Sequence, residues 1–171
     1  VLGWDPDDTH TTNFWEELAS VDLSGGASTN LSSGTITAKK YLWVQFYGGF
    51  ASSSNHIMTF NNDTGSNYAT RRSIDGGSDG TFTSESEARV GSASTTANFS
   101  NMFIINNSAN EKLGMATQVG QETAGAGNVP RRRDDCFKWA NTSAQITEID
   151  LSSSTSNTMT TDTIMKVWGS N

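Results

Sequence analysis

The chain has 171 residues and a mass of 18.3 kDa, a length that suits one domain with its own core and needs no metal or disulfide to fold. Ser, Thr and Asn supply 60 positions, only 17% are charged and 2 are Pro, a composition poor in helix formers, while 5 Trp, 8 Phe and 3 Tyr argue against disorder. A net charge of -7 and a pI near 4.6 exclude electrostatic binding to nucleic acid or anionic lipid, and no apolar stretch of ~18 residues is present to insert in a membrane.

Residues 1–12, rich in Asp and Thr around Trp4, have no hydrophobic period and read as an arm or linker ahead of a domain over residues 13–171. The chain starts at Val1 without a basic, apolar leader, which reads as a mature product or an excised segment. Asn13 to Ala19 fits a two-turn helix capped by Asn13, but alternation over Trp15 to Leu23 favours an edge strand. That strand would put Trp15, Glu17, Ala19, Val21 and Leu23 on one face.

Lys40 to Phe50 is the strongest strand signal, with Leu42, Val44 and Phe46 on one face and Tyr41, Trp43, Gln45 and Tyr47 on the other, ending at Gly48-Gly49. Further runs follow at His56–Phe60, Tyr68–Ile74, Gly80–Val90, Asn98–Asn106, Lys112–Val119, Asp135–Ala140, Ile146–Leu151 and Thr163–Trp168, with turn-forming residues between them. Regular short strands without helical patterns predict an all-β fold, a single antiparallel β-sandwich of about 8–10 strands and jelly-roll-like. The expected core is Leu42, Val44, Phe46, Ile57, Phe103, Ile105, Phe137, Ile146, Ile149, Ile164 and Val167. Between Phe60 and Tyr68 a turn with Gly65 at positive φ is expected, and Asp75 to Gly80 forms a second turn.

Few residues support catalysis. The chain has no Gly-x-Ser-x-Gly elbow and no His-Glu-x-x-His helix, and its two histidines, His10 and His56, sit in the arm and at the head of a strand. Cys136 is the one cysteine and stands between Asp135 and Phe137 at a strand start, without a basic neighbour to activate it, so packing is its expected role. Glu85 with Glu87, Asp75 with Asp79 and Asp134 with Asp135 are the carboxylate pairs a glycosidase would need, yet Glu85 and Glu87 read as a solvated strand face. The expectation is no enzyme, no cofactor and no metal. The oxygen-rich turns at Asn61, Asn62 and Asp63 and at Asp75 and Asp79 offer calcium-type ligands without the EF-hand pattern, and read first as turns. Arg131–Arg133 is the sole basic run, and Asp134 and Asp135 cancel it. Five Asn-x-Ser/Thr triplets, at Asn30, Asn62, Asn98, Asn106 and Asn141, are close to the about four that composition alone produces, and carry no information on glycosylation.

Three passages resemble virus-encoded β-sandwich domains of phage tail-fibre, appendage and capsid-surface proteins. They are Phe14-Trp15-Glu16-Glu17-Leu18 with the Ser24–Ser28 spacer and Lys40–Gly48, the Phe60–Tyr68 hairpin, and Ile146–Leu151 with the closing Thr163–Gly169. The resemblance implies a jelly-roll-like virion component, at a virion surface or otherwise extracellular, that assembles or binds a host surface, and it brings no catalytic residues. Its implied partners are further copies of the chain, as a trimer or larger assembly, other virion proteins and a host-surface glycan. Asn61, Asn62, Asp63, Tyr68, Asp75, Asp79 and Trp4 are the expected ligand or subunit contacts. The alternative is a secreted carbohydrate-binding module with Tyr41, Trp43 and Tyr47 as its stacking platform, against the expectation that this face packs on the second sheet or on a neighbouring subunit.

Overall fold

The computed structural model describes residues 14–171; Trp4, His10, the expected arm and the first residue of the expected domain lie outside the described residues. Twelve strands form: β1 (Glu16–Asp22), β2 (Asn30–Ser32), β3 (Tyr41–Gly48), β4 (Ser54–Phe60), β5 (Tyr68–Ile74), β6 (Gly80–Glu85), β7 (Ala88–Ala93), β8 (Asn98–Ile105), β9 (Lys112–Gly120), β10 (Arg131–Trp139), β11 (Ile149–Ser153) and β12 (Ile164–Ser170). They make two antiparallel sheets packed as a β-sandwich, one of eight strands in the order β1-β12-β3-β8-β9-β10-β5-β6 and one of four in the order β2-β11-β4-β7. The described residues contain no helix, so the strand reading of the first element holds and β1 is an edge strand.

The pairings nest. β1 pairs with β12, β2 with β11, β3 with β8 and β4 with β7, so the chain runs as one antiparallel ribbon that crosses from sheet to sheet. Contacts β12–β3 and β11–β4 join neighbouring turns of the ribbon. The pairs β5–β6 and β9–β10 are additions, and both widen the larger sheet beyond β8.

The elements depart from expectation at three places. The run Gly80–Val90 divides at Ser86-Glu87, where the chain leaves β6 in the large sheet and enters β7 in the small one. β11 starts at Ile149 instead of Ile146 because two asparagine side chains take the backbone groups ahead of it. Asn61 Oδ1 accepts from the Thr147 and Glu148 amides at 2.8 and 3.1 Å, and Asn106 Oδ1 accepts from the Ile146 amide at 2.6 Å while its Nδ2 donates to Ile146 O. In the Phe60–Tyr68 turn the left-handed positions belong to Asn61 and Asn62, with φ of 52° and 57°, and not to Gly65. Asp75 and Gly76 are both left-handed, as a tight hairpin turn requires, and the Gly77 amide closes the turn on Ile74 O at 2.8 Å.

Alternation on β3 sends Leu42, Val44 and Phe46 inward, and register then places Met102 and Ile104 of β8 and Met165 and Val167 of β12 beside them. Of the expected core, Leu42, Val44, Phe46, Phe137, Ile146, Ile149 and Val167 are buried. Phe103 and Ile164 are exposed and Ile57 and Ile105 half-buried, because each sits one residue out of phase with an inward partner. A bulge between Glu17 and Ala19 shifts the phase of β1, so Leu18, Ala19 and Val21 pack on the core while Trp15 stays on the outer aromatic face.

Gly114 lies under the Phe137 ring, where an added Cβ would overlap the ring carbons, whereas a Cβ on Gly127 meets nothing within 4 Å. Gly114→Ala should therefore cost about 1–3 kcal/mol through overpacking and Gly127→Ala less than about 0.5 kcal/mol, as read by urea denaturation.

Candidate functional site

The face of the large sheet turned away from the small one carries an apolar surface that no other described residue covers. In one cross-strand row Trp168, Trp43, Phe103, Met115 and Cys136 stand side by side on β12, β3, β8, β9 and β10. The next row holds Tyr41, Ile105, Leu113 and Lys138, and a more distant one Ile164, Tyr47, Phe99 and Val119. Between them runs a polar row of Lys166, Gln45, Asn101, Thr117 and Asp134.

Aromatic contacts fix the first row. Trp43 stacks on Phe103 at 5.8 Å and 15°, meets Trp168 at 4.8 Å, and is met edge-on by Trp15 at 5.7 Å. Its indole N–H donates to Asn101 Oδ1 at 2.6 Å, an oxygen that also accepts from Gln45 Nε2 at 3.3 Å. Leu113 and Met115 remain 54% and 61% exposed. They border a groove of about 600 Å³ lined also by Phe14, Trp15, Tyr41 and Phe103, and Leu113 and Cys136 are shared with a second groove of about 420 Å³ beside Arg71 and Phe82.

The second sheet therefore does not cover Tyr41, Trp43 and Tyr47, contrary to the first of the expected coverings; it covers the opposite face of β3. Hydropathy does not reveal Leu113 and Met115 because β9 is inverted: Lys112, Gly114, Ala116, Gln118 and Gly120 face in, and Leu113, Met115 and Val119 face out. Only the register to β8 reveals this.

The loop residues expected at a site are occupied with structure. Asp63 accepts from Trp139 Nε1 at 2.7 Å, Asn67 Nδ2 at 2.9 Å and the Gly65 amide at 2.9 Å. Desolvation pushes its pKa up, but these donors together hold the carboxyl below its ordinary value. Tyr68 accepts from the Phe60 amide and donates to Asp63 O, and Asn62 Nδ2 donates to Glu148. Asp75 accepts from the Arg132 amide and Asp79 pairs with Arg71, so these two carboxylates serve different partners. Glu85 pairs with Arg89 across the sheet crossing and Glu87 accepts from Ser86, so they are not alternate members of one strand. Among the described residues no three His, Cys, Asp or Glu side chains gather to hold a metal.

The basic run is sorted by the pleat of β10. Arg132 and Asp134 pair on the outer face at 3.1 Å, while Arg133 and Asp135 turn inward and pair at 2.7 Å, both 1% exposed. Arg133 and Arg72 also donate to Asn55 Oδ1. His56 lies fully buried against Phe46 and Phe50, with Nδ1 3.3 Å from Gln118 Nε2. Burial, then the nearby Arg133 charge, pushes its pKa down to about 3, so it is a neutral core residue.

Comparison with protein-family models, curated proteins and solved structures finds no match to this chain.

Between pH 6.5 and about 3 the unfolded chain binds a proton at His56 that the folded chain does not, so unfolding free energy falls as the pH falls, by up to about 1.4 kcal/mol per unit. Asp135, raised by desolvation against the opposing pull of Arg133, acts in the opposite sense. His56→Leu should flatten the slope of stability against pH between 4 and 6.5 in urea unfolding. An unchanged slope would place the acid sensitivity elsewhere.

Proposed function

We propose that this domain is a non-enzymatic viral structural protein of jelly-roll type, an appendage or tail-fibre head or a capsid decoration, acting in assembly and host-surface recognition. The observation that carries this reading is the apolar outer face of the large sheet, with Phe103, Leu113 and Met115 exposed together. An exposed apolar patch of this breadth marks an interaction surface, since isolated soluble domains keep such patches small. The nested pairs β1–β12, β2–β11, β3–β8 and β4–β7 support the jelly-roll description, because a rolled antiparallel ribbon produces that order. The carboxylates and histidine described above are engaged in packing, turns and ion pairs, which favours a structural role over turnover.

Exposure of Tyr41 and Tyr47 keeps a carbohydrate-binding module as the second reading, since an open aromatic ring can stack on a sugar face. Against it, the Trp43 indole N–H and the Asn101 carbonyl are already spent on each other.

Light scattering across protein concentration, with and without calcium, separates the two. An assembly reading expects a mass above that of one chain, unchanged by calcium because the Asp63 loop is satisfied by its own donors. A single-chain mass at every concentration, with tryptophan fluorescence that shifts on adding glycans, would replace it with the carbohydrate-binding reading.

A further inference from the structure

We infer that the outer face of the eight-stranded sheet is the contact between two copies of this chain, packed face to face with Met115 and Cys136 near its centre. The inference rests on the assembly reading above and names the partner and the surface.

Area is the first argument. Eight strands spaced ~4.8 Å apart and about seven residues long present a projected face of roughly 900 Å². A stable standard-size interface buries about 800 Å² on each partner, so this one face suffices for a dimer without help from loops. Apolar and aromatic rows lie on both sides of the polar row at its middle, in which Gln45 already bonds Asn101, so the face combines apolar anchors with polar groups that are partnered within it.

Charge is the second. At -7 the chain repels its own copies, and two of them can meet closely only where the charge is balanced. On this face every strand cation has a carboxylate of its own: Lys166 with Glu17 at 2.9 Å, Lys138 with Glu111 at 2.8 Å, Arg71 with Asp79 at 3.0 Å and Arg132 with Asp134 at 3.1 Å. Among the described residues further acid lies off this face, at Glu148 just ahead of β11, at Asp150 on the small sheet and at Glu87 on the crossing between sheets. A face whose cations are each paired selects no oppositely charged partner and lets a second identical face approach, as an isologous contact requires.

Leu113→Glu with Met115→Lys tests the inference in the full chain, with Val129→Lys, 86% exposed on the β9–β10 loop, as control. Light scattering reads the mass, maleimide reads Cys136, and circular dichroism checks the sandwich. The expected result is twice the chain mass and a protected Cys136 in the wild type and in the control. In the double variant the mass should fall to one chain and Cys136 react at least tenfold faster, with the β spectrum kept.

A multimer that ignores the double variant overturns the inference and leaves assembly standing, through another surface. A single chain with a freely reactive Cys136 overturns both. A single chain whose Cys136 becomes reactive only when residues 1–12 are removed also overturns it, and assigns the groove to the chain's own leading segment.

Discussion

Strand β3 decides how the molecule divides its residues. It pairs in unbroken register with β12 on one side from Tyr41 to Tyr47 and with β8 on the other from Tyr41 to Gly48. Since successive side chains point to opposite faces, that one register sends Leu42, Val44 and Phe46 into the sandwich and commits Tyr41, Trp43 and Tyr47 to the outside. A slip of one residue in β3 would exchange the two sets, turning Trp43 inward and breaking its hydrogen bond to Asn101 on the outer face. The inner face is the better served, because Phe46, Met102 and Val167 are completely buried there, and each large side chain contributes about 1.5–3 kcal/mol by leaving water.

The interior also holds polar and charged side chains that find partners within the fold. Asn61 and Asn106 bind backbone groups ahead of β11, so that a segment without strand pairing still has its amides satisfied inside the fold. Lys112 is buried with its ammonium on the carbonyls of Asn110 and Asn141. Arg133 pairs with Asp135 and, like Arg72, donates to Asn55 Oδ1. A buried pair of this kind adds little net stability over an apolar substitute, but leaving one member alone is costly, which ties β10, β5 and β4 to one arrangement.

These two features leave the outer face as the place where most of the exposed large apolar side chains among the described residues gather. Trp15, Trp43, Phe103 and Trp168 hold one another rigidly, and Leu113, Met115 and Cys136 extend the same row across β9 and β10. An apolar platform whose aromatic side chains already hold one another and whose charges are paired costs little entropy to bury, which suits association. Carboxylates that looked available in the sequence, such as Asp63, Asp75, Glu85 and Asp135, hold turns and ion pairs together instead.

The sequence by itself determined that the chain is an antiparallel β-sandwich and where most strands lie, because alternation, aromatic runs and turn residues are local signals. Lys40–Phe50 and the Asp75-Gly76 turn are legible in this way. The division of Gly80–Val90 between two sheets, the late start of β11 and the burial of His56 depend on residues far away in the chain, such as Asn61, Asn106 and Gln118. The same holds for the candidate surface. On β9 the apolar side chains are outside and the lysine and glutamine inside, so hydropathy alone selects the wrong face. Only pairing with β8 and β10 settles it, because a strand's inward side is a property of the sheet that holds it and not of its own residues.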